Sequence, residues 1–213
     1  MDKAFEDLDL FMMCDHLNAG GIADLPAGYY FRLCRPEELN FWKRMPFDDP
    51  QTATAFEPFM TDFFDRVYQS QVDEFFKRTF FACNPSDEPV GTCMLWKAHD
   101  AINTIHWLKV LKTEEGKGIG RALLSFILKD LPKTAYPIYL HTQAGSYRAL
   151  KLYADFGFCL LTDPIIGPKK NELHLSLPWL KQQMPNSAYQ ALKFKSAPSS
   201  FLQLMSTVNL LEF

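Results

Sequence analysis

Glu115-Gly116-Lys117-Gly118-Ile119-Gly120 joins a strand-like run, Thr104 to Leu111, to an amphipathic one. In the second run Ile119, Leu123, Phe126 and Ile127 fall on one helical face, with Leu124 and Leu128 beside them. This spacing predicts a helix over 118–131, closed by Pro132. Glycines allow a tight turn and a close ligand approach. The first amides of the helix attract anions, so the loop suits a phosphate or pyrophosphate. A P-loop needs GxxxxGK followed by Ser or Thr, and here Gly118 follows Lys117. The dinucleotide fingerprint GxGxxG needs a spacing that Gly116, Gly118 and Gly120 lack. A glycine-rich turn without a ligand remains as the bland alternative.

Working outward, Ile138-Tyr139-Leu140-His141 reads as a strand, Ser146 to Phe156 as a helix, and 158–161 and 172–177 as two further strands. The alternation from 104 to 156 implies βαβ crossovers and a locally parallel pair. Ahead of the loop, Thr79-Phe80-Phe81-Ala82-Cys83 and Val90 to Ala98 flank the turn cluster 84–89, which predicts a hairpin. Tyr29 to Arg35 is another β-rich run. Helices are expected from Pro36 toward Pro46 and from about 58 to 78, with 47–56 as a loop between them. The fold class expected is α/β: a mixed sheet, antiparallel in its front half, with helices on both faces.

Phe5, Leu8, Phe11, Met12 and Leu17 have roughly helical spacing, so residues 1–28 read as an N-terminal helical extension ending near Gly20-Gly21. Residues 29–177 form the domain. Residues 178–213 carry Trp179, Leu180, Leu192, Phe194, Phe201, Met205, Leu210, Leu211 and Phe213, too many apolar side chains for a solvated tail. They are expected to pack on the domain or on a second subunit, and a homodimer is compatible with that. A chain of 213 residues buries about 70% of its unfolded surface without needing a disulfide or metal.

A net charge of −3 with scattered Lys and Arg argues against nucleic acid. No run approaches the roughly 20 apolar residues of a membrane span, and the N-terminus lacks a signal-peptide pattern. The five cysteines form no CxxC or zinc spacing, which fits a reducing, cytoplasmic setting without a bound metal.

The segment Leu108 to Leu124 resembles the acetyl-CoA loop of the GCN5-related N-acetyltransferase (GNAT) family, whose motif is Arg/Gln-x-x-Gly-x-Gly/Ala at a helix start. Gly118 and Gly120 match it. Ala149-Leu150-Lys151-Leu152-Tyr153-Ala154-Asp155-Phe156-Gly157-Phe158 is similar to the family's Ala-x-x-Leu-Tyr-x-x-x-Gly-Phe block, at the right distance. The resemblance covers about residues 79–177. Two positions depart from it: Glu115 stands at Arg/Gln, with Lys117 and Arg121 near enough to offset its charge, and Ser146 stands where Asn is frequent.

The resemblance implies an acyltransferase fold with a splayed parallel strand pair and acetyl-CoA entering between the strands. It implies cofactor contacts from Leu108, Lys109, Val110, Glu115, Gly116, Lys117, Gly118, Ile119, Gly120, Arg121 and Ser146. A backbone amide of the strand 108–110 would hold the thioester carbonyl, and Tyr153 would protonate the leaving thiolate. His141 is a candidate base, with His106 and Glu114 as alternatives. The aromatic stretch before the sheet offers Phe47 and Phe56 as an acceptor wall beside Asp48, Asp49, Glu57 and Asp62, suited to an amine with an apolar body. The implied activity is acetyl transfer to a primary amine of a small molecule or peptide. An acyl-CoA sensor without turnover, or an O- or S-acyltransferase, would share the cofactor half.

Overall fold

The structure, a computed structural model, describes residues 4–208. In chain order the elements begin with β1 (Asp9–Cys14), β2 (Tyr30–Leu33), α1 (Leu39–Arg44), α2 (Pro50–Ala55), α3 (Glu57–Val67) and α4 (Val72–Arg78). β3 (Thr79–Cys83), β4 (Pro89–Ala98), β5 (Ile102–Val110), α5 (Ile119–Leu128), β6 (Ile138–Gln143) and α6 (Tyr147–Asp155) follow. The chain continues through β7 (Cys159–Leu161), β8 (Ile165–Ile166), β9 (Lys169–Lys170), α7 (Leu173–Gln183), α8 (Asn186–Gln190), β10 (Phe194–Lys195) and α9 (Ser199–Ser206). Contacts divide these into two units. The first comprises Met1–Gly21, Ala98–Thr104 and Pro132–Phe213; the second comprises Ile22–Lys97 and Ile105–Leu131.

In the second unit β2, β3, β4 and β5 are neighbours in that order, and β3 runs antiparallel to both β2 and β4. Alternation along β3 assigns its two faces. Phe80, with Phe31 of β2, meets Phe126 of α5 at centroid distances of 4.9 and 4.6 Å. Phe81 points the other way, edge-on to Phe41 of α1, under the Arg32 guanidinium. On that face Trp42 is fully buried among Phe64, Tyr68 and Phe75. Helices therefore cover both faces.

In the first unit the order is β10, β7, β1, β6, with the first residues of β5 beside β6. β1 is antiparallel to β6 and to β7, while β10 with β7 and β5 with β6 are parallel. The β5–β6 register pairs Asn103 with Ile138 and Thr104 with Tyr139. The sheet is mixed, as expected.

Four local expectations are corrected. The segment expected as an N-terminal helix forms β1. Leu10 to Cys14 are all fully buried because β1 lies between two strands and both its faces are covered. A strand buried on both faces loses its alternation and is easily mistaken for a helix stripe.

Residues 172–177, expected as a strand, open α7 instead. Ser176 and Leu180 are fully buried while Leu175 is 48% exposed, which is helical burial behind an alternating sequence. Pro178 sits inside this helix, so the boundary drawn there cuts an element.

The loop 47–56 contains α2. The Asp49 carboxylate accepts from the Thr52 amide at 2.7 Å, and Pro50 follows it, an N-cap arrangement. The expected single helix 58–78 is broken at Tyr68 by a 3₁₀ turn, Gln69–Gln71. Tyr68 is buried in the ring cluster, and that packing overrides helix continuity.

The tail packs on its own unit. Phe194 pairs with Leu160, and Phe201 stacks on Tyr139 at 4.0 Å and 4°. Leu210, Leu211 and Phe213 of that expectation, like residues 1–3 of the N-terminal one, lie outside the described residues. Phe201→Leu should lower stability by about 1 kcal/mol, the typical worth of an aromatic pair beyond its buried area. An unchanged urea midpoint would show the tail to be unimportant to the unit's stability.

Candidate active site

The glycine loop is built in the second unit. Leu111 donates its amide to the Val90 carbonyl at 2.9 Å, which fixes the end of β5. Asp48 adds a second tie, accepting from the Lys109 ammonium at 2.8 Å and from the Lys112 amide at 3.3 Å. At Gly91 a Cβ would lie 3.0 Å from Leu123 and 3.1 Å from the Lys109 carbonyl, so glycine lets α5 seat on β4 without displacing either.

Gly116 and Gly118 have φ of 80° and 86°. A Cβ built at either meets nothing within 4 Å. Gly118 is the N-cap of α5, so the amides of the first turn, from Ile119, have no intrahelical acceptor ahead of them. The loop is thus an exposed cradle of backbone at a helix N-terminus. Glu115, Gly116, Lys117 and Gly118 are exposed, Gly120 and Arg121 half-buried, and Ile119 is buried under the helix.

The loop's charges are partly settled among themselves. Lys117 donates to Glu114 at 2.9 Å and to the Tyr29 hydroxyl at 3.3 Å, and Tyr29 donates to Glu114 at 2.6 Å. The Tyr29 hydrogen bond first, and Lys117 second, hold the Glu114 carboxyl below the usual carboxylate range. A carboxylate so engaged is a poor proton acceptor, which weighs against Glu114 as the base.

The strand ahead of the loop is kinked. Trp107 has φ 53°, an outlier for a bulky residue. Its indole donates to the Tyr68 hydroxyl at 3.0 Å, and that hydroxyl also bonds His106 Nδ1. Consecutive residues of a regular strand face opposite ways, so one tyrosine touching both requires the kink. His106 is buried within this polar trio. Leu108, Lys109 and Val110 follow the kink, each half-buried.

Phe47 and Phe56 lie together in this unit, stacked at 5.1 Å and 22°. Beyond them the rings run from Phe56 to Phe59, Phe63 and Trp107 at 6.4, 6.3 and 5.3 Å. Phe56 is 47% and Phe59 50% exposed, unlike the fully buried Trp42 set. The aromatic stretch thus splits into a core and an exposed ladder.

His141, Ser146 and Tyr153 belong to the first unit. His141 Nε2 lies 2.6 Å from Asp9 Oδ1, and its ring stacks on Phe11 at 4.9 Å. Lys169 reaches the same Asp9 oxygen at 3.4 Å, and the Asp9 amide donates to Glu172 at 2.9 Å. Ser146 is the exposed N-cap of α6 and borders a groove with Asp9, Gln143 and Lys169. Tyr153 is 6% exposed on α6, its ring 5.7 Å from Phe158. Sequence reasoning missed Asp9 and Tyr29 and placed Asp48 at the acceptor wall rather than on Lys109, because the side-chain partners of all three are distant in sequence.

Burial pushes the Cys14 and Cys34 thiols up to about 12, so neither supplies a thiolate nucleophile near neutral pH. Among the described residues no group of three or more His, Cys, Asp or Glu could hold a metal, and no helix is long and apolar enough to cross a membrane.

The family model of the Acetyltransferase (GNAT) family matches residues 42–158, more than half of the 213. The chain belongs to this GNAT family. The match takes in the cradle and Tyr153, and the members of the family are acyltransferases.

The chain is similar to solved structures as well. A GCN5-related N-acetyltransferase from Sphaerobacter thermophilus matches at 19% identity and a TM-score of 0.50, over 73% of this chain and 49% of that one. A GNAT acetyltransferase from Colwellia psychrerythraea matches at 17% and 0.49, over 74% and 54%. Arabidopsis thaliana Naa50, in complex with the bisubstrate analogue CoA-Ac-MVNAL, matches at 26% and 0.46, over 68% and 91%. The chain spans about half the length of the first two. No curated protein matches it.

Proposed function

We propose that this GNAT chain is an acetyl-CoA-dependent N-acetyltransferase acting on a primary amine of a small molecule or peptide. The observation that carries the proposal is the cradle. Gly116 and Gly118 are left-handed and open where side chains would stand, and they lead into the first amides of α5. These residues fit a pyrophosphate, so Gly116 to Arg121 would hold it through backbone amides and the Lys117 and Arg121 side chains. Acetyl-CoA, when bound, supplies a thioester whose carbonyl carbon a neutral amine attacks, with loss of the thiol.

The chain's own residues have distinct tasks in this reading. A backbone amide of Leu108, Lys109 or Val110 donates to the acyl oxygen, and the kink at Trp107 resets the strand just before them. Tyr153 supplies the proton for the departing sulfur. His141 accepts the amine's proton, directly or through water, and Asp9 orients its ring and stabilises the imidazolium, as carboxylates do for catalytic histidines. The free thiols Cys14, Cys34, Cys83, Cys93 and Cys159 support a reducing, cytoplasmic setting.

The exposed ladder supports an acceptor with an apolar body, its rings lying against Phe47, Phe56 and Phe59. Phe56→Ala should raise KM for an aromatic amine such as phenethylamine roughly tenfold. That factor corresponds to burying about half of a phenyl ring. The dissociation constant for acetyl-CoA should stay unchanged. An equal loss for phenethylamine and a small polar amine would remove the ladder from the acceptor site. The test of the reaction itself is thiol release from acetyl-CoA across an amine panel. Turnover with no amine, despite cofactor binding, would refute the reading.

A further inference from the structure

We propose that Glu114 and Tyr29 are positioning residues that compete with the cofactor's pyrophosphate for the Lys117 ammonium, and so set how tightly the loop binds. This rests on the acetyl-CoA reading above and adds two residues outside the glycine motif. Lys117 lies between Gly116 and Gly118, so its backbone is placed by two left-handed glycines in the middle of the cradle. Its ammonium already has partners within the chain. It sits on Glu114 at 2.9 Å, hydrogen-bonds Tyr29, and lies 6.0 Å above the Tyr29 ring.

The partners are better fixed than the lysine. Glu114 closes a 3₁₀ turn, Lys112–Glu114, its amide bonded to the Leu111 carbonyl at 2.8 Å. The Tyr29 amide donates to Pro26 at 3.1 Å, and its hydroxyl holds Glu114 at 2.6 Å. Tyr29 therefore keeps the carboxylate turned toward Lys117.

The competition follows from the chemistry of the three groups. The Lys117 side chain is 46% and that of Glu114 16% exposed, and an ion pair with one partner in solvent contributes modest net stability. Lysine is a flexible point charge that can swing to a new anion. A pyrophosphate offers more charge and more acceptor oxygens than a carboxylate, and charge-assisted bonds to it are strong. Lys117 reaching the phosphates leaves Glu114 with Tyr29 alone. Glu114 thus subtracts from affinity in two ways, by holding the cation and by repelling the anion. Only the first depends on Lys117.

A double-mutant cycle separates the two, read as the dissociation constant of CoA by calorimetry at physiological salt. Thermal melts without CoA check that each variant folds. Glu114→Gln should tighten binding about threefold, and Lys117→Met should weaken it by a similar factor, magnitudes expected for exposed charges. In the Lys117→Met background, Glu114→Gln should keep only the smaller gain that comes from removing the repulsion. Tyr29→Phe keeps both charges and should tighten binding by a smaller factor than Glu114→Gln. The coupling should persist with dephospho-CoA, because the loop faces the pyrophosphate.

An effect of Glu114→Gln that is the same with and without Lys117 would leave only repulsion and overturn the proposal. Weaker binding in Glu114→Gln would do the same. Coupling seen with CoA but not with dephospho-CoA would move Lys117 to the 3′-phosphate and overturn the pyrophosphate assignment. A wild-type chain that binds no CoA overturns the cofactor reading and this proposal together; one that binds with no coupling overturns this proposal alone.

Discussion

Replacing Gly118 with aspartate is expected to abolish the thermal stabilisation that acetyl-CoA gives the wild-type chain. At a ligand concentration about 100 times Kd, binding adds about 2.7 kcal/mol. For a chain of this size that shifts Tm by roughly 5–10 °C. Gly118 has φ 86°, and its missing Cβ would point into open space at the N-terminus of α5. An aspartate there puts a carboxylate where the anion belongs and lets it take the helix's own free amides. Gly118→Ala is the control, since it adds the left-handed strain of about 1–2 kcal/mol without the charge. The alanine variant should melt lower but keep part of its response to acetyl-CoA. A full response in the aspartate variant, or none in the wild type at millimolar acetyl-CoA, would refute the cradle as a cofactor site.

What was legible in the sequence follows from how far each signal reaches. The loop was readable because three glycines, the strand before it and the helix stripe after it are contiguous in sequence, from Ile102 to Leu128. Strand β3 was read at its true limits, Thr79–Cys83, because a turn cluster and a returning strand bracket it. β1 was misread because its neighbours on both sides come from distant sequence, and double burial erased the alternation that marks a strand. Residues 172–177 misled in the opposite sense. Leu173, Leu175 and Leu177 alternate with polar residues, yet Leu175 is exposed and Ser176 is buried, bonded back to the Glu172 carbonyl at 3.0 Å. The Asp49-Pro50 helix start was a local signal and was missed.

The site divides in the same way. The backbone cradle was legible. Its polar surroundings were not, since Tyr29 reaches Glu114 across 85 residues and His141 reaches Asp9 across 132. No local pattern carries such pairs. They can be found only once the strands that bring them together are known, and β1, which carries Asp9, was the element misread.

Tyr153→Phe should lower kcat roughly a hundredfold, the ordinary worth of a positioned general acid, and leave the dissociation constant of acetyl-CoA nearly unchanged. The argument turns on separating two roles in one buried ring. Tyr153 is almost fully buried on α6 and packs against Phe158, so part of its value is simply to fill space. Phenylalanine keeps that part, and the loss of a hydroxyl hydrogen bond costs about 1 kcal/mol of stability at most sites. What phenylalanine cannot do is give a proton to a departing thiolate. A phenol is suited to that task because its usual pKa, near 10, lies close above that of a thiol. The expected result is therefore a large fall in kcat, a melting temperature lowered by a few degrees, and a flattened alkaline limb in the pH–rate profile. Wild-type turnover in the variant would reduce Tyr153 to packing. A fall in kcat accompanied by equal loss of acetyl-CoA binding would mean that the ring shapes the site and does not act in the proton transfer.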